Sequence, residues 1–297
     1  MSTATAEVDH LSRAQIHPGT AMGTVRLTVS DLAASRRFYA RALGLQATEQ
    51  EDGTIALGAA GEHPLVELLG DASAAPLDRH ATGLFHLAVL VPSRRELAMA
   101  LARLGEANWP LDGASDHLVS EALYLSDPDG NGIEIYRDRP REEWRHMGDQ
   151  LEMATLPLDL RNLLAELAGA EQLEPLAPPG TRMGHVHLQV SELPSSEAFY
   201  SGILGFDVTV RGYPGALFVS AACYHHHLGL NTWHSRDASP PLPGAIGLRG
   251  FEILLPNADA LAQVLDRLRS AGIATKPQAA GVLVRDPSGN AILLRAA

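Results

Sequence analysis

The second half of this sequence repeats the first half, and this internal repeat limits the fold more than any other feature of the chain. The segment MGTVRLTVSDLAASRRFYARALGL begins at Met22, and the similar segment MGHVHLQVSELPSSEAFYSGILGF begins 161 residues later, at Met183. A second pair, GLFHLAVLVPSRRELAMALARL from Gly83 and GLRGFEILLPNADALAQVLDRL from Gly247, is separated by 164 residues. Each segment has the alternation of a strand, then a polar turn, then helical periodicity. The chain is therefore predicted to contain four copies of one small unit.

Each unit is predicted to have the order βαβββ. In the first unit Asp31 can cap a helix, and Gly44 suits the left-handed residue that ends it. The counterpart in the third unit runs from about Pro194 to Leu204. Later strands flank Asp127-Pro128-Asp129-Gly130 and Asp286-Pro287-Ser288-Gly289, which are typical of hairpin turns. One unit alone would leave a sheet face bare, so the units are expected to pair and to curl two sheets around a cleft.

The repeat predicts two halves and a connection. We expect an N-terminal domain of two units at residues 20–140 and a C-terminal domain of two units at 181–297. Residues 141–180 are predicted to be a linker, because they hold a Pro-rich stretch, LEPLAPPGT, after a short helix at about Leu158 to Leu167.

Composition narrows the class of partner. The chain has 297 residues, 45% of them hydrophobic, and the single Cys223 excludes a disulfide framework. Its first ten residues resemble no targeting segment, and no run reaches the roughly 18 to 20 apolar residues of a membrane span. The net charge of −12, without a basic cluster, argues against nucleic acid. We expect a cytoplasmic protein with a small-molecule partner and no membrane contact. A homo-oligomer is compatible with the sequence, which leaves the oligomeric state open.

The first strand of the third unit presents two histidines to the cleft. Val186, Leu188 and Val190 form its apolar face, so alternation directs His185 and His187 to the other side. We expect His187 to line the cleft.

The second unit contributes a histidine and a carboxylate to the same side. Phe85, Leu87 and Val89 are predicted to face the core, which directs His86 to the cleft. Glu134 lies between two isoleucines in GNGIEIY, so it faces the cleft as well.

Two imidazoles and one carboxylate form a facial ligand set that leaves open positions on a divalent metal. His86 alone is as often a satisfied core or rim residue, and an isolated Glu134 is usually a solvated surface group. The convergence of His86, Glu134, His185 and His227 in two adjoining units favours a metal site. The other two units lack these groups at the equivalent positions, which are Thr24, Gly250 and Leu293.

Further polar residues are predicted near this set. In Tyr224-His225-His226-His227, alternation with Leu228 and Leu230 directs His225 and His227 to the cleft and His226 away from it, unless a one-residue bulge reverses them. His117 and Tyr124 precede the Glu134 strand and could equally be a loop residue and a strand aromatic. The remaining histidines are assigned to the surface or to structural roles: His10, His17, His63, His80, His146 and His234.

These segments resemble the vicinal oxygen chelate superfamily, which includes glyoxalases, bleomycin resistance proteins and extradiol dioxygenases, and within it the two-domain catechol 2,3-dioxygenases. GLFHLAVLVP, HLVSEALYLSDPDGNGIEIY, MGHVHLQVSELPSSEAFYSGILGF and YHHHLGLNTW carry the resemblance. It implies an α+β fold of four βαβββ units paired into two curved-sheet half-barrels. It also implies an oxidoreductase with Fe(II) as cofactor, although Mn(II) suits the same ligands.

The resemblance further implies residue roles and a reaction. Carried over by motif, His86, Glu134 and His185 hold the metal, and a catechol or substituted catechol reacts with O2 to give a 2-hydroxymuconic semialdehyde. The candidates for catalysis are His225 or His227 for proton transfer, either of which could instead be a ligand, and His117 with Tyr124 for holding the substrate. Trp233 or Tyr213 is a candidate wall for the aromatic ring.

The distribution of ligands departs from the best-known members, whose ligands all lie in the C-terminal half. Pairing the units in chain order, 1 with 2 and 3 with 4, would leave both clefts incomplete. Pairing 2 with 3 and 1 with 4 gives one complete cleft, and we expect this crossed arrangement.

Two other functions remain open at this point. A redox-neutral lyase or isomerase resembling glyoxalase I would use the same scaffold, but that class tends to carry two carboxylates among four ligands. A drug-binding resistance protein needs an aromatic cleft and no metal, which the 5% aromatic content disfavours.

Overall fold

The computed structural model describes residues 15–148, 150–169 and 174–297, which leaves His10 outside the described residues. The four units follow one another along the chain, each in the order βαβββ. Unit 1 consists of β1 (Ala21–Val29), α1 (Leu32–Ala42), β2 (Gln46–Glu49), β3 (Ile55–Gly58) and β4 (Val66–Gly70). Unit 2 consists of β5 (Gly83–Leu90), α2 (Arg94–Glu106), β6 (Gly113–Asp116), β7 (Ser120–Ser126) and β8 (Gly132–Asp138).

A connector links the two halves. It contains a 3-10 turn (Arg141–Glu143), β9 (His146–Met147), β10 (Gln150–Leu151), β11 (Leu156–Pro157), α3 (Leu160–Leu164) and a second 3-10 turn (Ala165–Leu167). The helix predicted at Leu158 to Leu167 is therefore present in a shorter form. The connector is more than a linker, because β11 pairs with β6 at the edge of a sheet.

The second half has the same element order. Unit 3 consists of β12 (Arg182–Gln189), α4 (Leu193–Glu197), which continues as a π-helical turn (Ala198–Ile203), β13 (Asp207–Val210), β14 (Ala216–Ser220) and β15 (Leu228–Asn231). Unit 4 consists of β16 (Gly247–Leu255), α5 (Ala258–Ser270), β17 (Thr275–Gln278), β18 (Gly281–Arg285) and β19 (Ala291–Ala296). None of the helices in the described ranges combines the length and the apolar character needed to cross a membrane.

Short polar side chains define the starts of the long helices. Asp31 Oδ1 accepts a hydrogen bond from the Ala34 amide at 2.9 Å, and Asn257 does the same for the first turn of α5. These bonds satisfy amides that have no partner inside the helix. Gly44, with a φ of 72°, lies just beyond α1, as its left-handed conformation requires.

The two sheets confirm the crossed pairing of units. Units 2 and 3, together with β11 of the connector, form a nine-stranded sheet in the order β11-β6-β7-β8-β5-β12-β15-β14-β13. Units 1 and 4 form an eight-stranded sheet in the order β17-β18-β19-β16-β1-β4-β3-β2. The joins are the antiparallel pairs β5 with β12 and β1 with β16. Each half of the sequence thus gives one unit to each sheet.

The core lies between the sheets and the helices that cover them. Val186, Leu188 and Leu87 are fully buried there, as alternation predicts. Two buried tyrosines tie helices to hairpin turns: the Tyr39 hydroxyl donates to Asp127 at 3.2 Å, and the Tyr200 hydroxyl donates to Asp286 at 2.9 Å.

Candidate active site

Three neighbouring strands at the centre of the nine-stranded sheet bring the predicted ligands together. In the register, Ala88 of β5 lies beside Glu134 of β8 on one side and beside His185 of β12 on the other. Glu134 Oε2 lies 3.0 Å from His86 Nε2 and 3.1 Å from His185 Nε2. One ligand atom from each of these three residues lies within 4.8 Å of the other two. The pairing of units 2 and 3 therefore assembles the cluster.

Burial shapes the electrostatics of this cluster. His86, Glu134 and His185 are 6%, 3% and 1% exposed. Burial alone would raise the pKa of Glu134, but the imidazoles of His185 and His86 hold it well below its usual range. Burial lowers the pKa of His185 to about 4, against the opposing attraction of Glu134. The site consequently has an ionised carboxylate and a neutral His185, which are the protonation states that ligate metals.

The hydrogen bonding of the cluster fits a metal. The buried His86 Nε2 lies close to Glu134 but has no partner in hydrogen-bond geometry. A buried polar atom without a partner is costly, and a cation between the three ligand atoms would satisfy it. Imidazole nitrogens and a carboxylate oxygen suit Fe(II) and Mn(II), and three protein ligands leave positions for small molecules.

A cavity of about 240 Å³ opens beside the ligands, and His86 and Glu134 form part of its wall. Its polar side contains His117 and Tyr124, which the sequence singled out. His117 Nε2 lies 2.6 Å from the Tyr124 hydroxyl, and its Nδ1 lies 2.7 Å from the Ala154 carbonyl oxygen. Because a carbonyl only accepts, His117 Nδ1 donates to the Ala154 oxygen, and His117 Nε2 is placed to accept a hydrogen bond from the Tyr124 hydroxyl. Burial and Glu134 raise the pKa of Tyr124 well above its usual value, so it remains a phenol.

The triple histidine lies differently from the prediction by alternation. His226 lines the cavity, with its ring centroid 4.1 Å from that of His185, whereas neither His225 nor His227 forms part of the lining. His225 Nε2 lies 2.9 Å from Asp138, and its Nδ1 lies 2.8 Å from His226 Nδ1. These residues precede β15, and Ala222 and Cys223 before them both have a φ of 54°. The alternation of a strand therefore does not apply to them.

His227 points away from the cavity. Its Nδ1 accepts from the Ala221 amide at 3.2 Å and lies 3.0 Å from the Ser220 hydroxyl. Burial, the other imidazoles and nearby arginines lower the pKa of His227 to about 3.

Phe85 also lies at a position that differs from the prediction. It was expected in the core, but it lines the cavity, with its ring 5.3 Å from His86 and 5.1 Å from His187. The register between β5 and β12 shifts at this point, and such a bulge changes the side to which a residue points. His187 lines the cavity as expected, and so do both aromatic candidates, Trp233 and Tyr213.

Three lining residues come from the connector, and sequence reasoning missed them: Met153, Ala154 and Thr155. Linker composition gave no signal for them, because their position depends on β11 pairing with β6. Phe218 of β14 was also missed. The histidines assigned to the surface and described by the structure are all exposed: His17, His63, His80, His146 and His234.

The equivalent region of the eight-stranded sheet holds an ion pair. Glu252, 2% exposed, accepts from Arg26 Nη2 at 2.7 Å and lies 3.6 Å from Arg295 Nη1. Thr24 and Leu293 stand where ligands would be needed, so the described part of this cleft lacks a ligand set. One sheet carries the candidate metal chemistry, and the other carries a charge pair.

The fold and the ligand cluster agree with a match to a family model. The Glyoxalase/Bleomycin resistance protein/Dioxygenase superfamily matches residues 21–135 and 182–294, and the chain belongs to this superfamily. Among individual proteins, it is similar to one from Bacillus subtilis (strain 168) that is named catechol-2,3-dioxygenase. The two are 44% identical over 282 residues, which are 94% of this chain and 98% of that protein.

Solved structures show the same fold at low sequence identity. A Bacillus subtilis subsp. subtilis str. 168 protein superposes with a TM-score of 0.65 at 15% identity, over 95% of this chain and 86% of that chain. Glyoxalase I from Zea mays superposes with a TM-score of 0.56 at 16% identity, over 93% and 92%. The predicted superfamily fold is thus confirmed.

Proposed function

We propose that the protein is an extradiol ring-cleaving dioxygenase that acts on catechol or a substituted catechol with Fe(II) and O2. The observation that carries the proposal is the buried His86, Glu134 and His185 cluster beside a cavity with His117, Tyr124 and His226 in its wall. The name of the 44% identical relative supports it, because the similarity extends over nearly the whole of both chains. The product would be a 2-hydroxymuconic semialdehyde.

His86, Glu134 and His185 would hold the metal. Fe(II), when bound, would supply the redox chemistry for a reaction between a catechol and dioxygen. Mn(II) would fit the same ligands. The ionised Glu134 would offset part of the charge of the metal, and burial of all three residues would keep bulk water from the reacting atoms.

Tyr124 and His117 would orient the substrate on one side. Tyr124 donates to His117, so its oxygen is free to accept a hydrogen bond from a catechol hydroxyl. The Ala154 carbonyl fixes the tautomer of His117, which leaves Nε2 able to take the Tyr124 proton when a proton is moved.

His226 replaces His225 and His227 as our candidate for proton transfer at the cavity. Its Nδ1 contacts His225, so its Nε2 remains for the substrate. Burial, with His185 and the neighbouring imidazoles, lowers the pKa of His226 well below its usual value, which keeps the ring neutral and able to accept a proton. His225, which contacts Asp138, would orient the His226 ring from the side away from the cavity.

Oxygen uptake with catechol, by protein purified without air and loaded with Fe(II), tests the proposal. We expect uptake equimolar with the catechol consumed and a yellow ring-fission product. Iron-loaded protein that binds catechol without consuming oxygen would contradict the proposal and favour the redox-neutral lyase or isomerase.

A further inference from the structure

The outer part of the active-site cavity is an aromatic wall that leads away from the metal ligands. The His187 ring lies 4.9 Å from that of His86. Farther out, it lies 5.7 Å from Phe218 and 5.4 Å from Trp233. Tyr213 continues the wall, 5.9 Å from Phe218. A catechol whose oxygens face the ligands would direct its ring substituents along this wall.

The connector closes the opposite side of the outer cavity and is fixed in place. The Ala154 carbonyl accepts from His117, and the Ala154 amide donates to the His117 carbonyl at 3.5 Å. The Thr155 hydroxyl lies 2.9 Å from that of Tyr213, so it joins the connector to the aromatic wall. Met153 packs against the apolar cluster that contains Phe218. These contacts make residues 153–155 a defined boundary for a substituent.

The outer cavity offers no permanent cation to a negative charge. Among the described residues that line it, none is arginine or lysine. Some polar groups of the wall have partners: the Thr155 and Tyr213 hydroxyls lie 2.9 Å apart, and Trp233 Nε1 donates to the Pro214 carbonyl at 2.9 Å. Other polar groups are the hydroxyls of Ser115, Ser120 and Tyr124, and the buried His187 Nε2, which has no hydrogen-bond partner. A carboxylate attached to the ring would lose its hydration here without gaining a cation, which is strongly unfavourable.

We propose that Met153, Ala154 and Thr155 determine the specificity of the site, and that it takes single-ring catechols with neutral substituents and rejects those with an ionised carboxylate on the ring. The inference rests on the proposed function. The cavity of about 240 Å³ agrees with a single ring, because pockets that bind larger, drug-sized ligands have volumes of about 300–1,000 Å³.

Binding and turnover of four compounds test the inference. The probes are catechol, 4-methylcatechol, 4-chlorocatechol and 3,4-dihydroxybenzoate. Binding is followed without air by quenching of tryptophan fluorescence, with Trp233→Phe to identify the signal from the cavity, and kcat/KM is measured by oxygen uptake. We expect the three neutral compounds to exceed 3,4-dihydroxybenzoate by at least about 100-fold in kcat/KM, because the carboxylate is left unpaired.

A charge placed in the wall should change this preference. Met153→Lys should improve the affinity for 3,4-dihydroxybenzoate by about tenfold or more, without a gain for 4-methylcatechol. Thr155→Arg tests the same wall with a second variant if Met153→Lys does not fold. Leu156→Lys is the matched control, because Leu156 is 46% exposed and absent from the lining yet gives the same change in net charge.

The outcomes separate this inference from the proposed function. Equal kcat/KM for acidic and neutral catechols would overturn the proposed specificity. An equal gain in affinity for 3,4-dihydroxybenzoate from Leu156→Lys and Met153→Lys would overturn it as well. Selective binding of neutral catechols without oxygen uptake would support the proposed specificity of the outer cavity and contradict the proposed dioxygenase activity. If none of the compounds binds or reacts, the proposed function fails and the specificity fails with it.

Discussion

At the scale of single residues, two glycines allow the ligand strands to come together. A Cβ at position 184, next to His185, would overlap the buried Tyr136 hydroxyl, and a Cβ at position 132 would overlap the Phe85 carbonyl. The Tyr136 ring packs 4.8 Å from His185, and its hydroxyl lies 2.7 Å from that of Tyr224. Tyr136 therefore has little room to move, and the orientation of His185 depends on the missing side chain of Gly184.

Gly184→Ala should lower both stability and metal affinity. Overpacking of a buried site costs about 1–3 kcal/mol, so we expect a loss of that size in the free energy of unfolding. Urea unfolding and metal titration check it. Gly105→Ala is the control, because nothing lies within 4 Å of its added Cβ and alanine favours helix. Unchanged metal affinity in Gly184→Ala would contradict this role for the glycine.

His227 should make the folded protein sensitive to acid. Its pKa of about 3 in the folded protein lies below the usual histidine value of 6.5, so between these pH values the unfolded chain binds a proton that the folded chain does not. The contribution of His227 to the free energy of unfolding is therefore most favourable above about pH 6.5. Below that pH the free energy of unfolding falls by up to about 1.4 kcal/mol per pH unit, until about pH 3. His227→Gln, which can still accept from Ala221, should flatten the curve. Urea unfolding from pH 7 to 4, with a chelator present, measures it; parallel curves would refute the effect.

The same residues show what the sequence could predict. His86, Glu134 and His185 lie in regular strands, where side chains alternate, so their common face followed from their neighbours. His226 was missed because it follows two residues of positive φ outside any strand. Phe85 was missed because its position depends on a bulge in a pairing between distant parts of the chain.

At the scale of elements, helices are tied to hairpin turns of the neighbouring unit. Tyr39 of α1 bonds Asp127 of unit 2, and Tyr200 of the π-helical turn bonds Asp286 of unit 4. Burial raises the pKa of both tyrosines well above the usual value and also raises that of both aspartates. The repeat predicted the helices and the turns separately, but their contact depends on tertiary packing. The position of β11 could not be predicted for the same reason.

Tyr39→Phe should lower the free energy of unfolding by about 1–2 kcal/mol, because a buried hydrogen bond to a carboxylate is lost without a change in shape. Tyr200→Phe is the matched variant, and the repeat predicts a similar loss. Thermal or urea unfolding of both gives the comparison. A loss of stability in only one variant would contradict the expectation that the two tyrosine–aspartate hydrogen bonds are equivalent.

At the scale of the whole molecule, the repeated units form two sheets that enclose different side chains. One encloses two imidazoles and Glu134, and the other encloses Glu252 between arginines. Each sheet takes one unit from each half, so the candidate active site requires both halves of the chain. This crossed pairing was predictable from the positions of the histidines. It places the first strands of units 1 and 4 together, but the contact between Arg26 and Glu252 also depends on their register and side-chain packing.

Iron content and oxygen uptake, measured together in Glu134→Gln and Glu252→Gln, test whether ring cleavage takes place at the cluster of units 2 and 3. Glu134→Gln should keep its fold but lose bound iron and catechol-dependent oxygen uptake. Glu252→Gln should retain iron and uptake while losing about 1–3 kcal/mol of stability, because Arg26 loses its buried partner and keeps only the less buried Glu67. Iron and full uptake in Glu134→Gln, or their loss in a folded Glu252→Gln, would contradict the account.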